Sequence, residues 1–195
     1  PSAERPRADV VLEAVNARSV ELDVAGKAYE ATVDLYGVYN QYNAAGALAL
    51  ALQVLGERAD TASLVAELGK VTPAFGRGET ITVQDKPLQL LLVKNPAGFR
   101  LSLASASAED YATMIAINDQ YADGRDVSWL WDVDFDRLRE GGVDVVSGVR
   151  AWDMALRLDY DLVPVAAVEP DLETALRRFI AGSGDRPMRI FCTYT

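Results

Sequence analysis

No histidine occurs anywhere in this sequence of 195 residues, and Cys192 is its single cysteine. The common zinc sites draw on Cys and His, so none can be assembled within the chain. A complete Ser-His-Asp or Cys-His-Asp triad in cis is excluded with them. An intramolecular disulfide is impossible, which fits a reducing compartment. Cys192 lies in "MRIFCTYT", where apolar neighbours make it a small buried hydrophobe rather than a nucleophile.

Other patterns are missing too. No GK[ST] follows a strand, so the usual phosphate cradle for ATP is absent. There is no G-x-G-x-x-G fingerprint, so strand–helix alternation alone does not make this an NAD enzyme. The spaced aspartates of an EF-hand do not occur. No apolar run approaches the ~20 residues a bilayer requires, and no n-region, h-region and cleavage site open the chain. Positive charge is also short: 19 Lys and Arg stand against 29 Asp and Glu, a net charge of -10. A nucleic-acid surface needs clustered cations, and so does a polybasic membrane anchor.

What is present is ordinary globular composition, 50% hydrophobic and 25% charged. The length suits one medium domain, or one domain with a piece of another. The chain opens at Pro1 without Met and closes at Thr195 within an expected strand, so a fragment is expected. Residues 20–24 and 28–33 alternate apolar with polar around Gly26-Lys27, an antiparallel hairpin. "DLYGVYNQYN" reads as a connector. Residues 44–55 form an Ala- and Leu-rich helix ending before Gly56, and "TASLVAEL" forms a second from Thr61. "PAFGRGET" reads as a loop. From Ile81 the texture changes. Apolar runs at 88–93, 113–117, 143–146, 163–168 and 189–191 alternate with helical patterns at 98–106, 151–158 and 172–180. That is the signature of an α/β fold, a mostly parallel sheet with helices on both faces. Ligand-bearing loops gather at the carboxyl ends of such strands.

Four stretches carry candidate chemistry. Asn40 and Asn43, three apart at the start of the Ala-rich helix, either read a purine edge or cap the helix. Arg77 stands between glycines in "FGRGE", placed to grip a phosphate or carboxylate, or simply solvated. Lys94 and Asn95 leave a strand ahead of Pro96, which suits the first turn of a helix, and helix N-termini attract anions. A plain strand-to-helix turn is the alternative. Residues 117–136 hold six aspartates and two tryptophans. The carboxylates are a solvated loop, a hard-cation site, or groups that orient a catalytic partner. Trp129 and Trp131 share a face if the segment is extended.

In this order "YNQYNAAGALA", "FGRGE", "LLVKNPAGF" and "AINDQYADGRDVSWLWDVDF" resemble the MurT family, the Mur ligase-like subunits of lipid II isoglutaminyl synthases. The resemblance runs from about Val20 to the end, and DGRDVSWLWD is its most specific part. It implies a Rossmann-like Mur ligase C-terminal domain over residues 39–195, preceded over 1–38 by the tail of the middle domain, whose small antiparallel hairpin comes first. It also implies an ATP-dependent amidation of the D-glutamate of lipid II to D-isoglutamine, in the cytoplasm at the inner face of the membrane. ATP and Mg serve the full-length enzyme, whose P-loop and structural zinc ribbon lie upstream of the segment matched; no cofactor is expected within these residues. Ammonia comes from a class I-type glutaminase subunit, GatD, which carries the Cys and His. The family supplies an Asp in trans to that pair, and Asp126 matches it, with Asp123 as the competitor. Asn40, Asn43, Arg77, Lys94 and Asn95 are then expected on the nucleotide side of the cleft. The competing expectation is the C-terminal domain of a stand-alone Mur-type or folylpolyglutamate-type ligase without a glutaminase.

Because backbone amides and the lysine of a P-loop carry most phosphate recognition, residues 1–195 alone are predicted to bind ATP weakly. Isothermal titration with a non-hydrolysable analogue is the check, and micromolar affinity contradicts it.

Overall fold

A computed structural model describes residues 7–16, 18–35, 37–73, 76–105 and 110–195. The chain forms two compact units, Pro1–Pro73 and Ala74–Thr195. This division of compactness lies downstream of the 38/39 boundary implied by the family resemblance. The helix opening at Val38 belongs to the first unit.

In the first unit β1 (Val10–Val15), β2 (Ser19–Val24) and β3 (Lys27–Thr32) form an antiparallel sheet in that order. The expected hairpin is therefore the second half of a three-stranded meander. Its turn is Ala25-Gly26, with φ of 51° and 89°, and Val24 pairs with Lys27. Alternation in β2 sends Val20, Leu22 and Val24 into a core with Ala44 and Leu48 of α1 (Val38–Leu55) and Val65 and Leu68 of α2 (Thr61–Leu68). Asp60 caps α2 by accepting from the Ala62 N–H at 3.2 Å. The connector expected over "DLYGVYNQYN" ends at Gly37, because α1 starts at Val38. The cap there is a glycine at φ 90° with no side-chain bond, a start that leaves no capping signature in sequence.

The second unit is a five-stranded sheet in the order β4-β5-β8-β6-β7. Its strands are β4 (Arg77–Val83), β5 (Lys86–Leu92), β6 (Ala112–Ala116), β7 (Val145–Ser147) and β8 (Met188–Cys192). β4 is antiparallel to β5, and the other neighbours are parallel. The loop expected over residues 73–80 thus gives way to a strand at Arg77. Gly78, at φ 80°, sits where the register shifts between Arg77 and Glu79. A glycine bulge of this kind reads locally as a loop. The run at 163–168 makes two isolated parallel bridges, Val143 with Val165 and Val146 with Val168, rather than a strand. Pro164 has no N–H to donate.

Period-two alternation then sorts the two faces. Ala112, Met114, Ala116, Met188 and Ile190 pack against Ala175 and Phe179 of α5 (Leu172–Gly182). On the other face Phe191 meets Phe99 of α3 (Pro96–Ser105), centroids 5.3 Å apart, and Phe99 meets Phe135 edge-on at 5.1 Å. Helices on both faces of a mostly parallel sheet are what the apolar runs required.

The carboxyl edge is drawn tight at Gly148, between β7 and α4 (Ala151–Tyr160). Ile117 N–H donates to the Ser147 carbonyl at 2.9 Å, and Arg150 N–H donates to the Ile117 carbonyl at 3.0 Å. Gly148 has φ 91°, and a Cβ there would stand 2.3 Å from the Ile117 oxygen. Gly148→Ala is predicted to destabilise the fold by roughly 2–4 kcal/mol, from strain and displaced backbone together. Gly141→Ala, with nothing within 4 Å, is the near-neutral control. Urea unfolding of both variants checks it.

Candidate functional site

The segment from Ile117 to Asp136 leaves the carboxyl end of β6 and is fixed first by its polar residues. Asn118 is buried; its N–H donates to the Thr193 hydroxyl at 2.8 Å, and its Oδ1 accepts from the Val149 N–H at 3.0 Å. A turn follows in which Asp123 and Gly124 N–H both reach the Gln120 carbonyl, at 2.9 and 3.1 Å. Gly124 takes φ 89°, a value the DG step supplies.

Asp123 and Asp126 then part company. Asp123 is 5% exposed. Its Oδ1 accepts from the Thr195 N–H at 2.9 Å and its Oδ2 from the Gln120 N–H at 3.3 Å. The Thr195 hydroxyl also donates to Oδ2. Asp126 is exposed, and its Oδ1 accepts from the Ser128 N–H at 2.8 Å. That N–H, and then the Ser128 hydroxyl, hold its carboxyl below the ordinary aspartate range. Asp126 is therefore an anion at neutral pH, facing solvent.

Ser128–Asp132 is a 3-10 turn. With three residues per turn, positions two apart diverge, so the two tryptophans do not share a face as an extended segment would require. Trp129 tilts against Phe99 with centroids 6.4 Å apart, while Trp131 is half exposed and packs edge-on against Tyr160 at 5.1 Å.

The turn is held from α4 by Arg157, which is buried. Its Nε donates to the Leu130 carbonyl at 3.2 Å and its Nη2 to the Val133 carbonyl at 2.6 Å. Nη1 stands 2.7 Å from Asp161 Oδ1, whose other oxygen accepts from the Phe135 N–H at 2.8 Å. The guanidinium also lies 5.3 Å from the centroid of Trp131 and 5.4 Å from that of Phe135. Partial burial alone raises the Asp161 carboxyl. The Arg157 and Phe135 hydrogen bonds and the charges of Arg157 and Arg139 outweigh that and hold it below the usual range.

Asp126 lines a cleft of about 270 Å³ with Arg125, Ser128, Trp131, Arg150 and Asp153. Arg150 Nε lies 3.5 Å from Asp153 and 3.8 Å from Asp119, and makes no hydrogen bond. A larger open hollow of about 500 Å³ lies on the β1–β3 sheet among Glu13, Glu21, Asp23 and Glu30. It shares no residue with the sequence motifs. Among the described residues no three acidic or thiol side chains converge as a metal site. Burial pushes the Cys192 thiol up to about 11, with Asp123 adding to the shift, so it is a poor nucleophile.

The nucleotide-side candidates are divided between the two units. Asn40 stands in the first turn of α1 and Asn43 one turn on, exposed; neither is the N-cap, which is Gly37. Arg77 opens β4, and its side chain lies outside the described residues. Lys94 is exposed beyond β5. Asn95 Oδ1 accepts from the Gly98 N–H at 2.8 Å, so it caps α3, with Pro96 in the first turn. Sequence reasoning missed Arg157 and Arg150. Arg157 was findable: it follows Ala151 and Met154 on the inward face at helical spacing, and Asp161 stands four residues on.

This architecture is that of the Mur-type ligases. The chain is similar to a pseudomurein peptide ligase type C from Methanothermus fervidus, with a TM-score of 0.73 at 15% identity, covering 97% of this chain and 40% of that one. Against UDP-N-acetylmuramate-alanine ligase MurC from Thermotoga maritima the TM-score is 0.69 at 17% identity, covering 98% and 44%. Folylpolyglutamate synthase from Mycobacterium tuberculosis gives 0.61 at 22%, covering 96% and 46%. Likeness at these identities establishes fold.

The profile of the MurT ligase C-terminal family matches residues 92–195, and the chain belongs to that family. It is 32% identical over 169 residues to subunit MurT of the glutamine-hydrolyzing lipid II isoglutaminyl synthase of Streptococcus pneumoniae R6, covering 84% of this chain and 37% of that protein. The same subunit from Staphylococcus aureus COL is 35% identical over 144 residues, covering 71% and 32%. The chain thus spans about a third of the length of these curated relatives.

The Arg157–Asp161 clamp generates a pH prediction. The folded pKa of Asp161 lies below the unfolded value of ~3.9. Its contribution is complete above that value and is lost as pH falls through the lower, folded one. Asp161→Asn is expected to be less stable at neutral pH by about 2–3 kcal/mol, since it leaves a buried guanidinium without its anion. The variant should lose less on acidification below pH ~4 than the parent does. Chemical denaturation at pH 7 and pH 3 checks both.

Proposed function

We propose that this chain is part of the synthetase subunit of a lipid II isoglutaminyl synthase. In this reading the subunit amidates the D-glutamate of lipid II with ATP, and ammonia arrives from a docked glutaminase. Asp126 completes that partner's Cys–His pair. The observation that carries the reading is the contrast between two aspartates three residues apart. Asp123 is committed to Thr195 and Gln120, whereas Asp126 is an exposed anion at a cleft. A carboxylate that orients an imidazole need not share its chain. It fixes the tautomer and stabilises the imidazolium, tasks that require accessibility and a negative charge. A chain without histidine can still supply that member across an interface.

Asn40, Asn43, Arg77, Lys94 and Asn95 are proposed for the nucleotide side, where ATP and Mg act. The Oδ1 of Asn95 serves its helix cap, so its part there is positional. Among the described residues no helix is long and apolar enough to cross a membrane. Work at the inner face of the membrane then rests on the lipid substrate.

The test separates the half-reactions. In the synthetase with its glutaminase, Asp126→Asn is predicted to lower glutamine-dependent amidation roughly 10²–10³-fold, less than the ~10⁴ seen for the equivalent change in a serine protease, because thiols are the better nucleophiles. Ammonia-dependent amidation should persist. Asp123→Asn should instead lower both activities together, through stability. Equal loss of both activities in Asp126→Asn instead assigns the residue to the ligase site or to folding.

A further inference from the structure

Asp123-Gly124 is the one Asp-Gly step in the sequence, and there is no Asn-Gly step. A glycine has no Cβ to obstruct the approach of its nitrogen to the preceding side chain. Once its proton is lost to solvent, the Gly124 nitrogen can attack Asp123 Cγ. A C–N bond forms, one carboxyl oxygen leaves as water with protons from the solvent, and a cyclic succinimide results. Hydrolysis returns the water. Cleavage at Cγ restores aspartate. Cleavage at the main-chain carbonyl carbon leaves the chain running through Cβ and Cγ, an isoaspartate. The backbone is then longer by one carbon, and nothing but water takes part.

The surroundings leave this step open sterically and close it with hydrogen bonds. Tyr121, Ala122, Gly124 and Arg125 are exposed, and a Cβ built on Gly124 would meet nothing within 4 Å. Space therefore keeps neither the nitrogen from the carboxyl nor water from an imide. The Gly124 N–H is donated to the Gln120 carbonyl at 3.1 Å, which holds the hydrogen that must leave. Asp123 is 5% exposed, and its carboxyl accepts from the Thr195 N–H at 2.9 Å, from the Thr195 hydroxyl and from the Gln120 N–H at 3.3 Å. Two of these donors thus belong to a single residue. Thr195 is itself exposed and lies beyond the end of β8, where local opening is cheap.

We propose that Asp123-Gly124 is a latent isomerisation site, that the two Thr195 donors keep it shut, and that its opening misdirects Asp126. The added carbon falls in the same turn, between the Gln120 carbonyl and the carboxylate held by Ser128, so it changes the direction in which Asp126 points. Ring closure needs the open form of the turn, and its rate follows the population of that form. The chemistry is independent of what Asp126 does. Only the accompanying loss of turnover rests on the functional reading above.

The experiment ages the whole synthetase subunit in warm neutral buffer. Isoaspartate at position 123 is read from peptide maps, in which an aspartate-specific protease no longer cuts there. Glutamine-dependent turnover is read after the glutaminase is added. The parent in urea gives the unguarded rate. The folded parent and Thr195→Ser, which keeps both donors, are expected to isomerise far more slowly. Thr195→Pro removes the N–H and the hydroxyl together. It should isomerise at least about tenfold faster than the parent, the scale of one lost hydrogen bond to a carboxylate. Thr195→Ala removes the hydroxyl alone and should fall between the two. It also decides the matter if Thr195→Pro melts near the ageing temperature. Turnover should decline in step with the isoaspartate fraction. A folded parent as fast as the parent in urea overturns the guard, and so do parental rates in both Thr195→Pro and Thr195→Ala. Full turnover in isomerised subunit overturns the link to Asp126, a reading that Asp126→Asn in unaged subunit tests separately.

Discussion

The geometry of the site depends on one buried cation. The Arg157 guanidinium presents five N–H donors and no acceptor, so its burial demands acceptors on every side. Asp161, one turn along α4, supplies the anion, and the Leu130 and Val133 carbonyls supply the rest. The need is reciprocal. A carbonyl has two lone pairs: that of Leu130, which accepts from the Val133 N–H at 3.3 Å, has one left for the guanidinium, and the Val133 carbonyl just beyond the 3-10 turn meets it too. Without it, a segment with six aspartates in twenty residues would gain more from solvation than from packing. With it, Leu130, Val133, Phe135 and Leu138 are all buried. The backbone between β6 and β7 becomes part of the fold, and Asp126 rides at its edge.

Two identical side chains three residues apart acquire opposite uses from this arrangement. Asp123 falls on the side of the turn facing the end of β8, where Thr195 and Gln120 satisfy it. Asp126 falls on the side facing the cleft, and its fixed hydrogen bonds come from Ser128, within its own turn. The Ser128 N–H stabilises the ionised form without removing the carboxylate from solvent. A group that is to act on another molecule needs that combination: a fixed direction, a charge, and no competing partner across the fold.

The sheet was legible because parallel strands covered on two faces are nearly continuous apolar runs, as 88–93, 113–117 and 189–191 are apart from Gln89, Thr113 and Arg189. The helix α2 was legible from its start at Thr61, and α4 and α5 from their helical pattern. β4 was hidden by Gly76 and Gly78, whose positive φ serves a bulge but reads as a loop. β1 was missed although its antiparallel partner β2 begins at Ser19, a local pairing. The start of α1 was hidden because its cap is a glycine. At the site, the resemblance pointed to Asp126, while the residues alone left it level with Asp123. What separates them is a bond between positions 123 and 195, a spacing no local pattern reports. Arg157 was readable in principle, as a charged residue on the inward face of α4 with Ala151, Met154 and Leu158.

Arg157 also reaches the surface. Its guanidinium lies 5.3 Å from the Trp131 ring centroid, and Trp131 in turn meets Tyr160 edge-on. An exposed indole is normally free to change rotamer, and fixing it on binding costs roughly 0.5–1.5 kcal/mol. Here one neighbour is a buried cation and the other a tyrosine of the helix that carries that cation. The ring is therefore held before any partner arrives. The same buried charge orders the backbone bearing Asp126 and the aromatic surface beside it. A change in the clamp must move the two together, so the direction of the carboxylate and the shape of the surface around it are a single structural property of α4 and its adjoining turn.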